Sequence, residues 1–90
     1  MNNKRELKRY ISNICTGLFS DCVAAALYDN NHHPENVDAL LALIMNTYND
    51  FVCRVSHPEP GMKPKVYYKI LIDDFNVQIS EILDQISNQG

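Results

Sequence analysis

The sequence predicts an all-α protein, a three-helix bundle that runs up, down and up. Three segments of the 90 residues carry apolar side chains at steps of three and four, the spacing of one face of a helix. No segment of strand length alternates between apolar and polar residues. The connectors between the helical segments, of about six and nine residues, suit neighbouring helices that pack antiparallel. We therefore predict one domain over residues 1–90, with helices at about 3–29, 34–56 and 64–87.

The composition is that of a small folded protein. A hydrophobic fraction of 46% with 21% charged residues is ordinary for a soluble domain, and the net charge of -3 argues against a general polyanion binder. No apolar run approaches the roughly 18 residues that a membrane helix requires, and the basic start leads into a pattern broken by polar residues. We expect a cytoplasmic protein with no membrane segment.

The first helix has a core line and a second apolar row beside it. The core line is Leu7, Ile11, Ile14, Leu18, Cys22 and Ala25, and the second row is Cys15, Phe19, Val23 and Ala26. The apolar arc therefore widens toward the end of the helix, where more surface is apolar than one partner would cover.

The second helix has the widest stripe. Its apolar positions are Val37, Leu41, Ile44, Tyr48, Phe51 and Val55, widened by Leu40, Met45 and Val52. An arc of about 140° suits two partner helices, so this segment is predicted to lie between the other two. Pro34 with Glu35 is typical of a first helical turn, and Pro58 ends the pattern.

The connector before the third helix is rich in proline, and Gly61 in it is free to take a positive φ.

The third helix has apolar residues on two opposite sides. The core line is predicted to be Tyr68, Leu71, Phe75, Ile79, Ile82 and Ile86, with Ile72 and Leu83 beside it. Val66, Ile70 and Val77 cluster about 180° away, and a simple three-helix packing explains only one of the two faces.

These surplus faces predict a small non-enzymatic interaction module that self-associates as a homodimer, with an unidentified protein as a further possible partner. The predicted interface is Phe19, Val23, Val66, Tyr67, Ile70 and Val77. Tyr67 is included because it lies between the two apolar faces, and tyrosine suits such a boundary. No cofactor and no catalytic residue is predicted.

A basic strip in the first turns supports an alternative, a nucleic-acid-associated accessory protein. It consists of Lys4, Arg5, Lys8 and Arg9, which could follow a phosphate backbone. The interpretation as a solvated face is favoured about four to one, because the strip has no interleaved aromatic residues and the rest of the chain is acidic.

A third class is a small metal- or ligand-binding bundle. Cys53 and His57 are four residues apart, with Asp50 a turn earlier and His32 or His33 as further ligands. No CxxC or HxxxH pair is present, so we predict no metal site. The cysteines, Cys15, Cys22 and Cys53, are expected to be small buried hydrophobes in a reducing compartment.

Acidic residues follow in the third helix. Two interpretations are open for Asp73, Asp74, Glu81 and Asp84: a solvated face, or carboxylates paired for acid-base chemistry. The solvated face is favoured about ten to one, because neighbouring residues of a helix point about 100° apart.

The segments KRELKRYI, SHPEPGMKP and DDFNVQISEIL together resemble a family of small helical proteins of gut anaerobic bacteria. The resemblance runs over nearly the whole chain and implies one shared architecture. It implies no activity and no site residues, because no activity is assigned to such a family.

Overall fold

The computed structural model describes residues 3–28 and 34–87. It contains α1 (Lys4–Tyr28), α2 (Pro34–Ser56) and α3 (Pro64–Ser87), which make up 90% of the described residues, with no strand among them. The predicted all-α three-helix fold is confirmed. The predicted turn between the first two helices, with His32 and His33, lies outside the described residues.

Local capping explains where α1 and α3 begin. The Asn3 side-chain oxygen accepts a hydrogen bond from the backbone N–H of Glu6 at 2.8 Å, so Asn3 is the N-cap, and α1 begins one residue later than predicted. α3 begins at Pro64, where the missing proline N–H costs nothing. The Lys63 carbonyl accepts the first helical bond of α3, from the N–H of Tyr67 at 2.9 Å.

The connector between α2 and α3 contains a tight turn. The backbone N–H of Met62 donates to the Glu59 carbonyl at 3.3 Å, and Gly61 between them has a φ of 85°. Proline at the second position and a positive-φ glycine at the third are typical of a type II turn. The turn directs the chain back along α2, and the positive φ predicted for Gly61 is confirmed.

The core runs along the axis of the bundle, with Phe75 of α3 at its centre. The Phe75 ring meets Tyr10 of α1 and Phe51 of α2 edge to face, at centroid distances of 6.0 and 5.2 Å. The Tyr10 hydroxyl also donates to the Asn76 side-chain oxygen at 3.1 Å. The buried apolar residues are Leu7, Ile11, Cys15, Leu18, Cys22, Leu40, Ile44, Phe51, Val55, Tyr68, Leu71, Phe75, Ile79 and Ile82.

The helices of the bundle pack mainly in sequence order. α2 packs against both α1 and α3, as expected for the segment with the widest apolar stripe, whereas α1 and α3 approach each other less closely. The molecule is elongated, with dimensions of 50 × 18 × 16 Å.

The structure corrects the predicted core at three positions. Met45 is exposed, although it was assigned to the α2 stripe, and Leu83 is exposed, although it was placed beside the core line of α3. Thr47 is buried instead. The reason is the position of α3, which packs on the flank of α2 that carries Thr47, and Met45 lies about 160° around the helix from that residue.

Candidate interaction site

The outer face of α3 carries an uncovered apolar strip, which we name the outer strip: Val66, Ile70 and Val77. Their exposed fractions are 49%, 46% and 61%. The opposite line of the same helix, which includes Leu71 and Phe75, is buried in the core. No segment in the described part of the chain covers the outer strip, so it faces outward as its spacing predicts.

Tyr67 anchors the start of α3 to the end of α2. Its hydroxyl donates to the backbone carbonyl of Arg54 at 2.8 Å and approaches that of His57 at 3.4 Å. Both carbonyls lie at the end of α2, where the regular helical hydrogen bonds stop. The Arg54 carbonyl also accepts a hydrogen bond from the backbone N–H of His57 at 3.3 Å. Desolvation raises the pKa of Tyr67, while the nearby Arg54 charge opposes the shift. Tyr67 therefore holds the outer strip in place, and its hydroxyl is used within the chain.

A cavity of about 270 Å³ adjoins the outer strip where α2, the connector and α3 meet. Ile70 and Met62 contribute apolar side chains to its lining, and Glu59 and Asp74 contribute carboxylates. Ile70 therefore stands beside a concave surface as well as on the exposed helix face.

Charges around the outer strip change sign along α3. Lys63, Lys65 and Lys69 lie at its start, and Asp73, Asp74, Glu81 and Asp84 lie farther along; all seven are exposed. Between Met62 and Ser87 no acidic residue precedes Asp73 and no basic residue follows Lys69. The exposure of the four acidic residues supports the prediction of a solvated face, and the lysines extend that charged surface to the start of α3.

The other half of the predicted interface lies elsewhere. Phe19, 38% exposed, lines a groove of about 320 Å³ between α1 and α2, and Val23 is half-buried one turn farther along α1. Met45 of α2, which is 48% exposed, lines the same groove. Val77 lines the α2–α3 side instead, so α2 separates Phe19 from it. The structure does not bring the two predicted groups together.

A polar cleft of about 530 Å³ lies between α2 and α3. Arg54 there pairs with Asp50 at 3.1 Å and places its guanidinium 4.7 Å from the centre of the Phe51 ring. The residues that line it are Asn46, Thr47, Asp50, Phe51, Arg54, Asp74, Val77 and Gln78, none of which is a histidine or cysteine. The cleft offers hydrogen-bonding and charged groups without an evident nucleophile and base pair.

The basic strip lies on the first turns of α1. Lys4, Arg5 and Arg9 are exposed, and Lys8 is half-buried. Its use as a nucleic-acid surface stays a prediction.

The residues of the weighed metal site do not assemble. No group of three His, Cys, Asp or Glu side chains in the described residues is placed to hold a metal ion. Cys53 and His57 are both exposed, so the expectation of a buried Cys53 is wrong; the position points outward from α2. Cys15 and Cys22 are buried, and burial raises the pKa of each thiol.

By length and composition alone, α1 could cross a membrane. The helix has 25 residues and includes an apolar stretch of 18, whereas no apolar run of membrane-spanning length was expected from the sequence. Core helices of soluble proteins and signal sequences have the same length and composition. Here α1 supplies Leu7, Ile11 and Leu18 to the core of the bundle.

Fold and surface together define the class of this protein, an all-α three-helix bundle with uncovered apolar residues on its third helix. No family model, curated protein or solved structure matches the chain. The resemblance to small helical proteins of gut anaerobes stays a prediction.

Proposed function

We propose that this protein is a small interaction module that self-associates as a homodimer through the outer strip. The observation that carries the proposal is the exposure of Val66, Ile70 and Val77, between 46% and 61%, on a helix whose opposite side is already buried. Contiguous apolar patches on soluble monomers commonly mark interaction sites. A second copy presents the same patch, so a closed two-fold dimer can cover both at once.

The outer strip is suited to binding because it is built on a helix that is held on its other side. Phe75 and Leu71 fix α3 in the core, and Tyr67 ties its first turn to α2. Val and Ile also have few side-chain conformations to lose. Association therefore orders little that is not ordered already, which lowers its entropic cost.

The affinity expected from the outer strip is modest. Complete burial of an aliphatic side chain contributes about 1.5 to 3 kcal/mol, and these side chains are about half exposed, so six of them in a dimer contribute roughly 5 to 9 kcal/mol. Association costs about 4 to 15 kcal/mol. The gain exceeds this cost only in the lower part of the cost range, by about 5 kcal/mol at most, so the dimer we propose is a weak one whose population depends on protein concentration.

The test is the solution mass of the wild type and two matched variants. Sedimentation equilibrium should cover about 1 μM to 1 mM, the range set by the expected weak affinity. Ile70→Asp places a charge in the outer strip and should give a folded monomer. Met45→Asp is the control, because Met45 has nearly the same exposure, 48% against 46%, and lines the α1–α2 groove instead.

Two results would contradict the proposal. One is a wild type that stays monomeric up to the highest concentration. The other is a dimer that Met45→Asp dissociates while Ile70→Asp leaves it intact, which would place the interface at the α1–α2 groove. Circular dichroism of each variant reports whether the helices are retained.

A further inference from the structure

We infer that two copies of this chain pair their third helices antiparallel, with the basic start of each α3 beside the acidic part of the other. This inference rests on the proposed self-association and specifies its orientation and register. It is carried by the arrangement of seven exposed charges around the outer strip.

The charges of α3 are arranged against the helix's own dipole. A helix N-terminus is partly positive and favours carboxylates, whereas its C-terminus favours cations. α3 has no acidic residue in its first turn and no basic residue in its last, and Lys63 and Lys65 lie at its start. An antiparallel second copy would offset this mismatch, because its acidic half would lie along the basic start of α3.

The positions on the helix define one register. At 100° per residue, Lys69 and Asp73 lie on the same flank of the outer strip, about 40° apart. In a two-fold antiparallel pair, each flank meets its own copy, so Lys69 of each chain faces Asp73 of the other, twice per dimer. The same register places Val66 opposite Val77 of the second copy and brings the two Ile70 side chains close together.

Lys69 and Asp73 can pair with a second copy because neither is held in an ion pair with a described residue of its own chain. Lys69 and Asp73 are four residues apart on one helix, a spacing that permits an ion pair, but they form none with any described residue. Lys N-terminal to an acid is also the weaker order for such a pair. Lys63 adds an outer contact, since the register brings it near Glu81 of the second copy.

A parallel pair would not form these contacts. A two-fold axis along the helices brings each flank against the opposite flank of the other copy, so Lys69 and Asp73, which share one flank, would not face each other. The basic starts of the two helices would lie side by side, as would the two acidic parts. The outer strip allows both orientations, whereas the charges favour only the antiparallel one.

Charge exchange tests the register. Lys69→Asp and Asp73→Lys each turn two attractions per dimer into two repulsions. Each should therefore raise the dissociation constant of the dimer about tenfold. The double variant Lys69→Asp/Asp73→Lys restores opposite charges across the interface and should recover the wild-type constant. Asp38→Lys is the control, because this exposed residue of α2 makes the same charge change away from α3.

Disulfide trapping tests the orientation. In a Cys53→Ser background, an equimolar mixture of Val66→Cys and Val77→Cys should form the mixed disulfide, because these positions face each other only in the antiparallel pair. Val66→Cys alone should form little dimeric disulfide. Cys15 and Cys22 are buried and should not interfere.

The outcomes separate this inference from the proposed function. If the wild type dimerises and Ile70→Asp dissociates it, but the double charge variant stays as weak as the single ones, the register is wrong and self-association stands. Efficient trapping of Val66→Cys alone would show a parallel pair and overturn the orientation. A monomeric wild type would overturn both.

Discussion

Phe75→Ala is the substitution that tests the packing of the bundle most directly. The side chain is fully buried and is the only one whose ring meets aromatic residues of both other helices, Tyr10 and Phe51, among the described residues. Removing a buried phenylalanine ring costs about 3 to 5 kcal/mol, from the lost transfer free energy and the cavity that remains. A domain of 90 residues has a total stability of roughly 5 to 13 kcal/mol. We therefore expect the variant to be folded but to lose a large part of its stability.

The measurement is urea unfolding followed by the helical circular dichroism signal, with Phe19→Ala as the matched control. Phe19 is the same residue type, 38% exposed at the α1–α2 groove, and its truncation should cost less, about 1 to 2 kcal/mol. Measurements at low protein concentration keep dimerisation from contributing. A loss below about 1.5 kcal/mol for Phe75→Ala, or equal losses for the two variants, would refute the central position of Phe75.

Two further predictions concern the α2–α3 junction and the thiols. Tyr67→Phe removes the hydrogen bond to the Arg54 carbonyl and should lower the free energy of unfolding by about 0.5 to 1.5 kcal/mol in urea titration, whereas Tyr28→Phe at an exposed position should change nothing; equal effects would contradict the anchoring role. In the folded protein, Cys53 should react with a thiol reagent first, because Cys15 and Cys22 are buried and burial raises the pKa of both thiols. Equal reaction rates of all three without denaturant would show that α1 opens easily.

The core face of α3 could be predicted from the sequence because its two apolar groups are about 180° apart. Tyr68, Leu71 and Phe75 form a continuous line, and only that line can fill a core while Val66 and Ile70 point away. Periodicity is local information, and here it was sufficient.

The flanks of α1 and α2 could not be predicted in the same way. Whether Met45 or Thr47 is buried depends on which side of α2 receives α3, and this is decided by packing between distant parts of the chain. Packing between distant parts of the chain also decides the interface. The spacing identifies Phe19 and Ile70 as surplus apolar residues, but it does not show that α2 lies between the surfaces that carry them. The start of α1 is set by a local signal: Asn3, where the predicted helix begins, caps the helix from outside.

The packing of helices in sequence order has a consequence for how the chain folds. Because α2 packs against the helices that precede and follow it, most tertiary contacts close short loops, and domains of low contact order fold in microseconds to milliseconds. The hydrogen bond from Tyr10 to Asn76 joins residues 66 positions apart, so it closes a much longer loop than either helix hairpin. The two hairpins can therefore form early and share α2, and the docking of the first helix on the third would be the last step of folding.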